Sequence, residues 1–260
     1  MKKVYINQPR YLGDVIFVMA IAQKYANEGC EVIFPVEDSY LKNASIEKNF
    51  PEITFTAQSA IQGFKNKDYL VEAHKNDGLV IDFYTTSKYK DHMGKKYLLL
   101  DLPVKQWREL KIQRDFDAEK RLMEKLGIAS NDKFNLINEY YSNKKTINMQ
   151  PEIKNNYKNI YLEKVDGFNL FDWMGVIERA ESIHTVHTSI QYIIDVMEGI
   201  TTNIHIYPRV EIYEPHSYYD YLFSKKYIYH SHPKNIKYQL NFNLRKFKRN
   251  LVFILNTFNR

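Results

Sequence analysis

The first 36 residues constrain the chain more than any other stretch. KVYIN is a short apolar segment and QPRYLGD a turn of small and polar residues. VIFVMAIAQKYANEG then carries Val15, Val18, Met19, Ala22 and Tyr25 at steps of three and four. That spacing predicts a helix with one broad buried face. Asn27 and Gly29 end it, and Val32, Ile33 and Val36 begin a second strand. Strand, helix and strand make a βαβ unit, whose right-handed crossover sets the two strands side by side in a parallel sheet.

The remainder continues in kind. ITF (53–55) and GLVIDF (78–83) read as strands with a helix over NKDYLVEAHKN between them, while Pro103 interrupts any helix through 84–110. DFDAEKRLMEKL (115–126) is a helix that Gly127 caps, and IASNDK (128–133) is a polar joint. The alternation then restarts with strands at FNLINE (134–139), Asn159–Leu162, Ser182–Val186 and Ile204–Tyr207. Helices are expected over Leu170–Ala180 and Ser189–Glu198. Two successive αβ halves predict an α/β fold of two Rossmann-like, doubly wound domains, 1–128 and 129–212, facing each other across a cleft. A segment of different character, 213–260, follows. In it Leu240, Leu244, Phe247 and Leu251 stand at helical spacing, the pattern of a helix crossing back to the first domain.

Charge is unevenly placed. Of 37 basic and 31 acidic residues, nine basic and no acidic ones fall in 221–260, leaving 28 against 31, a net −3, in 1–220. A nucleic-acid binder would spread positive charge along a groove, so no nucleic-acid partner is expected. A reversible contact of residues 225–249 with an anionic membrane fits the basic stripe. The single cysteine, Cys30, excludes a disulfide scaffold and any multi-cysteine metal site. The histidines show no metal-ligand spacing, so no metal is expected. With no apolar run of secretory or membrane-spanning length, the expected location is the cytoplasm, at most peripheral to a membrane.

Two turns carry candidate chemistry. In QPRYLGDVIF, at the carboxyl edge of the first sheet, Gly13 permits close approach of a ligand or another backbone. Asp14 lies in the first helical turn, where it is either an N-terminal cap or a general base. Under the capping reading Asp14→Asn changes stability little, because the two residues cap equally well. Arg10 adds a fixed positive charge suited to a phosphate or carboxylate. Neither G-x-G-x-x-G nor a Walker A loop is present, so NAD and ATP are not expected cofactors. The second turn is SIHTVHTSIQ, where His187, Thr188 and Ser189 open a helix N-terminus that reads as a phosphate site or as an ordinary cap. His184 falls on the opposite strand face and reads as structural. Lys144 and Lys145 follow the first strand of the second half, and Lys164 and Asp166 follow the next, in a loop suited to a nucleobase or ribose.

Arg10-Tyr11-Leu12-Gly13-Asp14-Val15, the E-V-I-F strand and FNLFDWMGVIERAESIHTV, with Leu170, Asp172 and Trp173, together resemble the glycosyltransferases of the two-Rossmann (GT-B) type. The similarity is to their heptosyltransferase-like group, which builds bacterial surface glycans, and it extends over most of residues 3–207. It implies that Asp14 is the base for the acceptor hydroxyl, with Arg10 and Gly13 on the acceptor side. It also implies a donor side in 129–212, where Thr188, Ser189, His187, Lys144 and Lys145 receive the diphosphate of a nucleotide-sugar co-substrate, with no tightly bound cofactor. Where the family has Asp-Thr-Gly, this chain has His187-Thr188-Ser189, so only Thr188 carries over directly. The implied activity is metal-independent, inverting transfer of a sugar to a glycan, lipid-linked or other hydroxyl acceptor. The alternatives are an enzyme like the polysaccharide pyruvyl transferases, which share the Gly-Asp turn, or an inactive binding protein of the same fold.

Overall fold

The computed structural model describes residues 1–8, 11–42, 46–57, 78–83, 92–141, 144–145, 153, 155–208 and 220–230 of the 260. The βαβ unit forms as its periodicity requires: β1 (Lys3–Asn7), α1 (Leu12–Asn27) and β2 (Glu31–Val36). α2 (Asp38–Lys42), β3 (Thr54–Ala57) and β4 (Leu79–Asp82) follow. The four strands make a parallel sheet in the order β3-β2-β1-β4. The helix expected over 66–76 lies outside the described residues. α3 (His92–Leu98) and a 3₁₀ turn at Val104–Glu109 occupy the stretch that periodicity leaves ambiguous.

α4 (Phe116–Lys125) begins with Asp115 accepting from the Ala118 N–H and ends at Gly127, whose φ of 63° places it in the left-handed region. The second half contains β5 (Phe134–Asn138), β6 (Tyr140–Tyr141), β7 (Lys144–Lys145), β8 (Lys158–Tyr161), α5 (Met174–Arg179), β9 (Ser182–Val186), α6 (Ser189–Val196), β10 (Ile204–Tyr207) and β11 (Ile228–Tyr229). Its parallel sheet runs β11-β10-β9-β5-β8, with β6 and β7 forming a separate antiparallel pair. The helix expected from Leu170 to Ala180 splits into a 3₁₀ turn (Phe171–Trp173) and α5. Asn169 Oδ1 accepts from the Phe171 and Asp172 N–H groups, and Asp172 Oδ2 accepts in return from Asn169 N. Asn169 therefore caps this turn with Asp172 as its reciprocal partner, and burial pushes the Asp172 carboxyl above the usual range.

One expectation is corrected. α1 buries not one face but every residue from Val15 to Gln23. It lies between its own sheet and the second half of the chain: Phe17 meets Tyr97 and Trp107 of its own half and Tyr192 of the other at ring separations of 5.1–5.8 Å. Each fully buried side chain of this size contributes roughly 1.5–3 kcal/mol. The one polar residue in that run is satisfied: Gln23 donates to Glu52 and to the Lys111 carbonyl, and accepts from Lys111 N.

Residues 220–227 also brace the first half. The Leu222 carbonyl accepts from Trp107 Nε1 at 2.8 Å and from both Nε and Nη2 of Arg108. Asp195, on α6, receives Ser224 N, Lys225 N, Ser224 Oγ and the Tyr227 hydroxyl. The expected helix at 240–255 lies outside the described residues. Among the described residues no helix is long and apolar enough to cross a membrane.

Candidate active site

The loop after β1 ends on Tyr11, an exposed residue with φ at 62° whose carbonyl accepts from the N–H groups of Asp14 and Val15. No side chain caps α1 here, so Asp14 is not the cap. Its carboxylate points to α3, where the ammonium of Lys96 is hydrogen-bonded to Oδ1. Lys96 is only 1% exposed, against 21% for the Asp14 side chain. Burial pulls the Lys96 amine below its usual range, and Asp14 works against that shift. One helical turn earlier on α3, His92 Nε2 stands 4.0 Å from the same oxygen, with 30% of its side chain exposed. The Tyr40 phenol, hydrogen-bonded to the Leu12 backbone, has its pKa raised by burial, with Glu37 and Asp14 adding to the shift. Asp14 thus sits among a buried cation, a half-exposed imidazole and a phenol. At the adjacent strand ends, Asn7 Nδ2 donates to Asp82 Oδ1 at 3.0 Å.

Gly13 lies where the two halves touch. A Cβ on it would stand 3.1 Å from Tyr192 Cε2 and 3.6 Å from Ser189 Cα, so the close approach it permits is that of α6. The starts of α1 and α6, each at the carboxyl edge of its own sheet, are therefore in contact. Thr188 is the N-cap residue of α6 but makes no side-chain cap. Its hydroxyl accepts from Asn138 Nδ2 at 3.1 Å, and the same amide donates to Thr185. Thr188 and Ser189 are half-buried. His187 is buried, with Nδ1 on Gln191 Oε1 and its ring edge-on to Phe223. Gln191 Nε2, in the first turn of α6, has no partner among the described residues.

The other expected residues lie apart from this point. Lys144 and Lys145 form β7, which pairs with β6 just beyond the carboxyl end of β5; their side chains lie outside the described residues. Lys164 and Asp166 are exposed, in a loop anchored on the end of α4, where the Asp166 carbonyl accepts from Lys125 Nζ. Arg10 lies outside the described residues. His184 is buried in a polar ladder: it bonds to Ser182 and to the Tyr207 hydroxyl and stacks on His205 at 4.4 Å, and His205 bonds to His230. Burial and the neighbouring imidazoles push His184 down to about 3 and His205 to about 4. Cys30 is half-buried just ahead of β2, the amino end of that strand, away from the site. Among the described residues no group of three or more His, Cys, Asp or Glu is arranged to hold a metal ion.

Sequence reasoning passed over Lys96 and His92. The signal available was their i, i+4 spacing, which puts both on one helix face.

No known protein family matches the chain by sequence, and neither does any curated protein. Among solved structures, a glycosyl transferase family 9 protein from Veillonella parvula is similar at a TM-score of 0.56 and 10% identity, over 90% of this chain and 88% of that one. The ADP-heptose heptosyltransferase II of Escherichia coli gives 0.49 and 8% identity, over 80% and 84%. Heptosyltransferase WaaC of E. coli with ADP gives 0.41 and 11%, over 89% and 91%. What the chain shares with the first is the fold: mixed α/β with parallel sheets.

Proposed function

We propose that the chain is a glycosyltransferase that moves a sugar from a nucleotide-sugar donor to a hydroxyl of a glycan or lipid-linked acceptor, with inversion and without a metal ion. Residues 1–128 supply the acceptor side and residues 129–212 the donor side of a cleft between the halves. Asp14 is the general base. The observation that carries this reading is its setting: a carboxylate at the carboxyl edge of the first sheet, fixed through Oδ1 by the buried Lys96, beside the start of α6. Asp14 takes the proton as the hydroxyl attacks the anomeric carbon. A single displacement assisted by one base inverts configuration.

The leaving diphosphate is received at Thr188 and Ser189 by the first-turn N–H groups of α6, with Lys144 and Lys145 as countercharges. His187 acts there by holding Gln191 in that turn. Lys164 and Asp166 meet the nucleoside, and Arg10 meets the acceptor. Because helix N–H groups and lysines supply the countercharge, transfer proceeds in a chelator. Such an enzyme works in the cytoplasm, and the basic residues within 225–249 suit a reversible contact with an anionic membrane.

Calorimetry of the full chain against UDP-, GDP-, ADP-, CMP- and dTDP-linked ligands and phosphoenolpyruvate, with and without EDTA, tests the reading. Binding of one nucleotide class, unchanged by EDTA, is the expected result. Binding of phosphoenolpyruvate alone would instead identify a pyruvyl transferase. Absence of all binding would reject both enzymes in favour of an inactive protein of this fold.

A further inference from the structure

The proposed base does not stand alone, and its two neighbours on α3 differ in a way that matters. Lys96 and His92 approach the same oxygen of Asp14 from one helix face, four residues apart. Lys96 is sealed from solvent, whereas His92 keeps 30% of its side chain exposed. Resting on the reading of Asp14 as base, we propose that His92 is the proton relay of the site, receiving from Asp14 the proton of the acceptor hydroxyl and releasing it to water.

The first reason is charge balance around Lys96. When Asp14 takes the proton, the carboxylate that compensates the buried ammonium disappears, and an unpaired buried charge is costly. Moving that proton on to His92 restores the ion pair and leaves the new positive charge on the more exposed side chain. The second is proton affinity. An imidazole is a stronger base than a carboxylate, so it is the better final holder of the proton. The third is geometry: 4.0 Å exceeds direct hydrogen-bond reach but is spanned by one oxygen bonded to both groups.

The step balances. The acceptor O–H bond breaks as the new C–O bond forms and the bond to the leaving phosphate oxygen opens. The proton on Asp14 then passes to His92 Nε2, and the imidazolium returns to neutral by giving a proton to water. Among the described residues, the charged and titratable groups around the relay include Asp14 on α1, Lys96 on α3 and Tyr40 with Glu37 beside α2.

Two measurements on the full chain test this. In the first, imidazole NMR without substrate follows the titration of His92, assigned by its loss in His92→Gln. Replacing the carboxylate in Asp14→Asn lowers the midpoint by about 0.5–1 pH unit, and removing the ammonium in Lys96→Met raises it by a similar amount. The Lys96 variant decides the matter if Asp14→Asn does not fold. A midpoint unmoved by either substitution overturns the proposal. In the second, the pH profile of sugar transfer has its acid limb in the histidine range for the wild type. In His92→Gln that limb moves toward the carboxylate range and the plateau falls about tenfold. Identical limbs in the two proteins also overturn the relay. NMR coupling in a protein that transfers no sugar would instead overturn the function proposed above, with the proton link between Asp14 and His92 standing.

Discussion

Asp14→Asn is expected to destabilise the protein, against the expectation from capping alone. Asparagine matches aspartate as a cap, but Asp14 caps nothing: it compensates Lys96, which is 1% exposed. Without the carboxylate, Lys96 stays buried and unpaired or gives up its proton. Removing one partner of a buried pair costs about 3–5 kcal/mol. Proton release sets a ceiling, since neutralising a lysine of ordinary pKa 10.5 at pH 7 costs about 5 kcal/mol at roughly 1.4 kcal/mol per unit. Asp14 is partly hydrated and Lys96 already depressed, so a loss of about 3 kcal/mol is expected at pH 7.

The sign with pH follows. A lysine whose folded pKa lies below its unfolded value makes the unfolded chain bind more protons between the two, so stability rises with pH in that window. The ceiling therefore falls to about 2 kcal/mol at pH 9. Urea unfolding followed by circular dichroism at pH 7 and pH 9 reads both effects. The double variant Asp14→Asn/Lys96→Met, which replaces the amine by an apolar chain of similar length, recovers most of the loss. An Asp14→Asn midpoint equal to wild type at pH 7, or a deficit that stays constant up to pH 9, would refute the reasoning.

Gly13→Ala gains about 1 kcal/mol of helix propensity. It also sets a methyl 3.1 Å from the Tyr192 ring, which Phe17, Trp107 and Phe223 hold in place. A net loss of about 1–2 kcal/mol in urea is expected, and a more stable variant would show that Tyr192 yields. Burial of His184 and His205, with neighbouring imidazoles adding to it, makes the fold acid-sensitive, because the unfolded chain binds protons from about pH 6.5 downward that the folded imidazoles do not take up until lower pH. Between pH 7 and pH 5 His184 costs about 2 kcal/mol, and the half-buried His205 about half that after solvent screening. His184→Gln flattens that slope, and an unchanged slope would refute the assignment. Thr188→Ala leaves Asn138 its bond to Thr185, so folding changes by no more than about 1 kcal/mol while nucleotide affinity falls about tenfold. Unchanged affinity by calorimetry moves the phosphate site elsewhere.

What the sequence determined by itself is what depends on near neighbours. The βαβ start, the strands Ser182–Val186 and Ile204–Tyr207, the end of α4 at Gly127 and the alternation of the second half all follow from side-chain periodicity and turn residues. The carboxyl-edge positions of Asp14 and Thr188 follow too, because in a parallel sheet the residue after a strand opens there. The tertiary structure alone decided what surrounds them. Lys96 is 82 residues from Asp14, and a lysine sealed against a carboxylate is written with the same letter as a solvated one. α1 shows in sequence only its own apolar positions, whereas its complete burial comes from Trp107, Tyr192 and the second half of the chain. Gly13 signals that something approaches closely; that the something is Tyr192 follows from how the two halves dock. His184, His205 and His230 are scattered in the chain and become one stacked ladder only because β9, β10 and β11 lie side by side. Local pattern specifies elements and their edges, while the energy of a buried charge depends on contacts that chain distance does not encode.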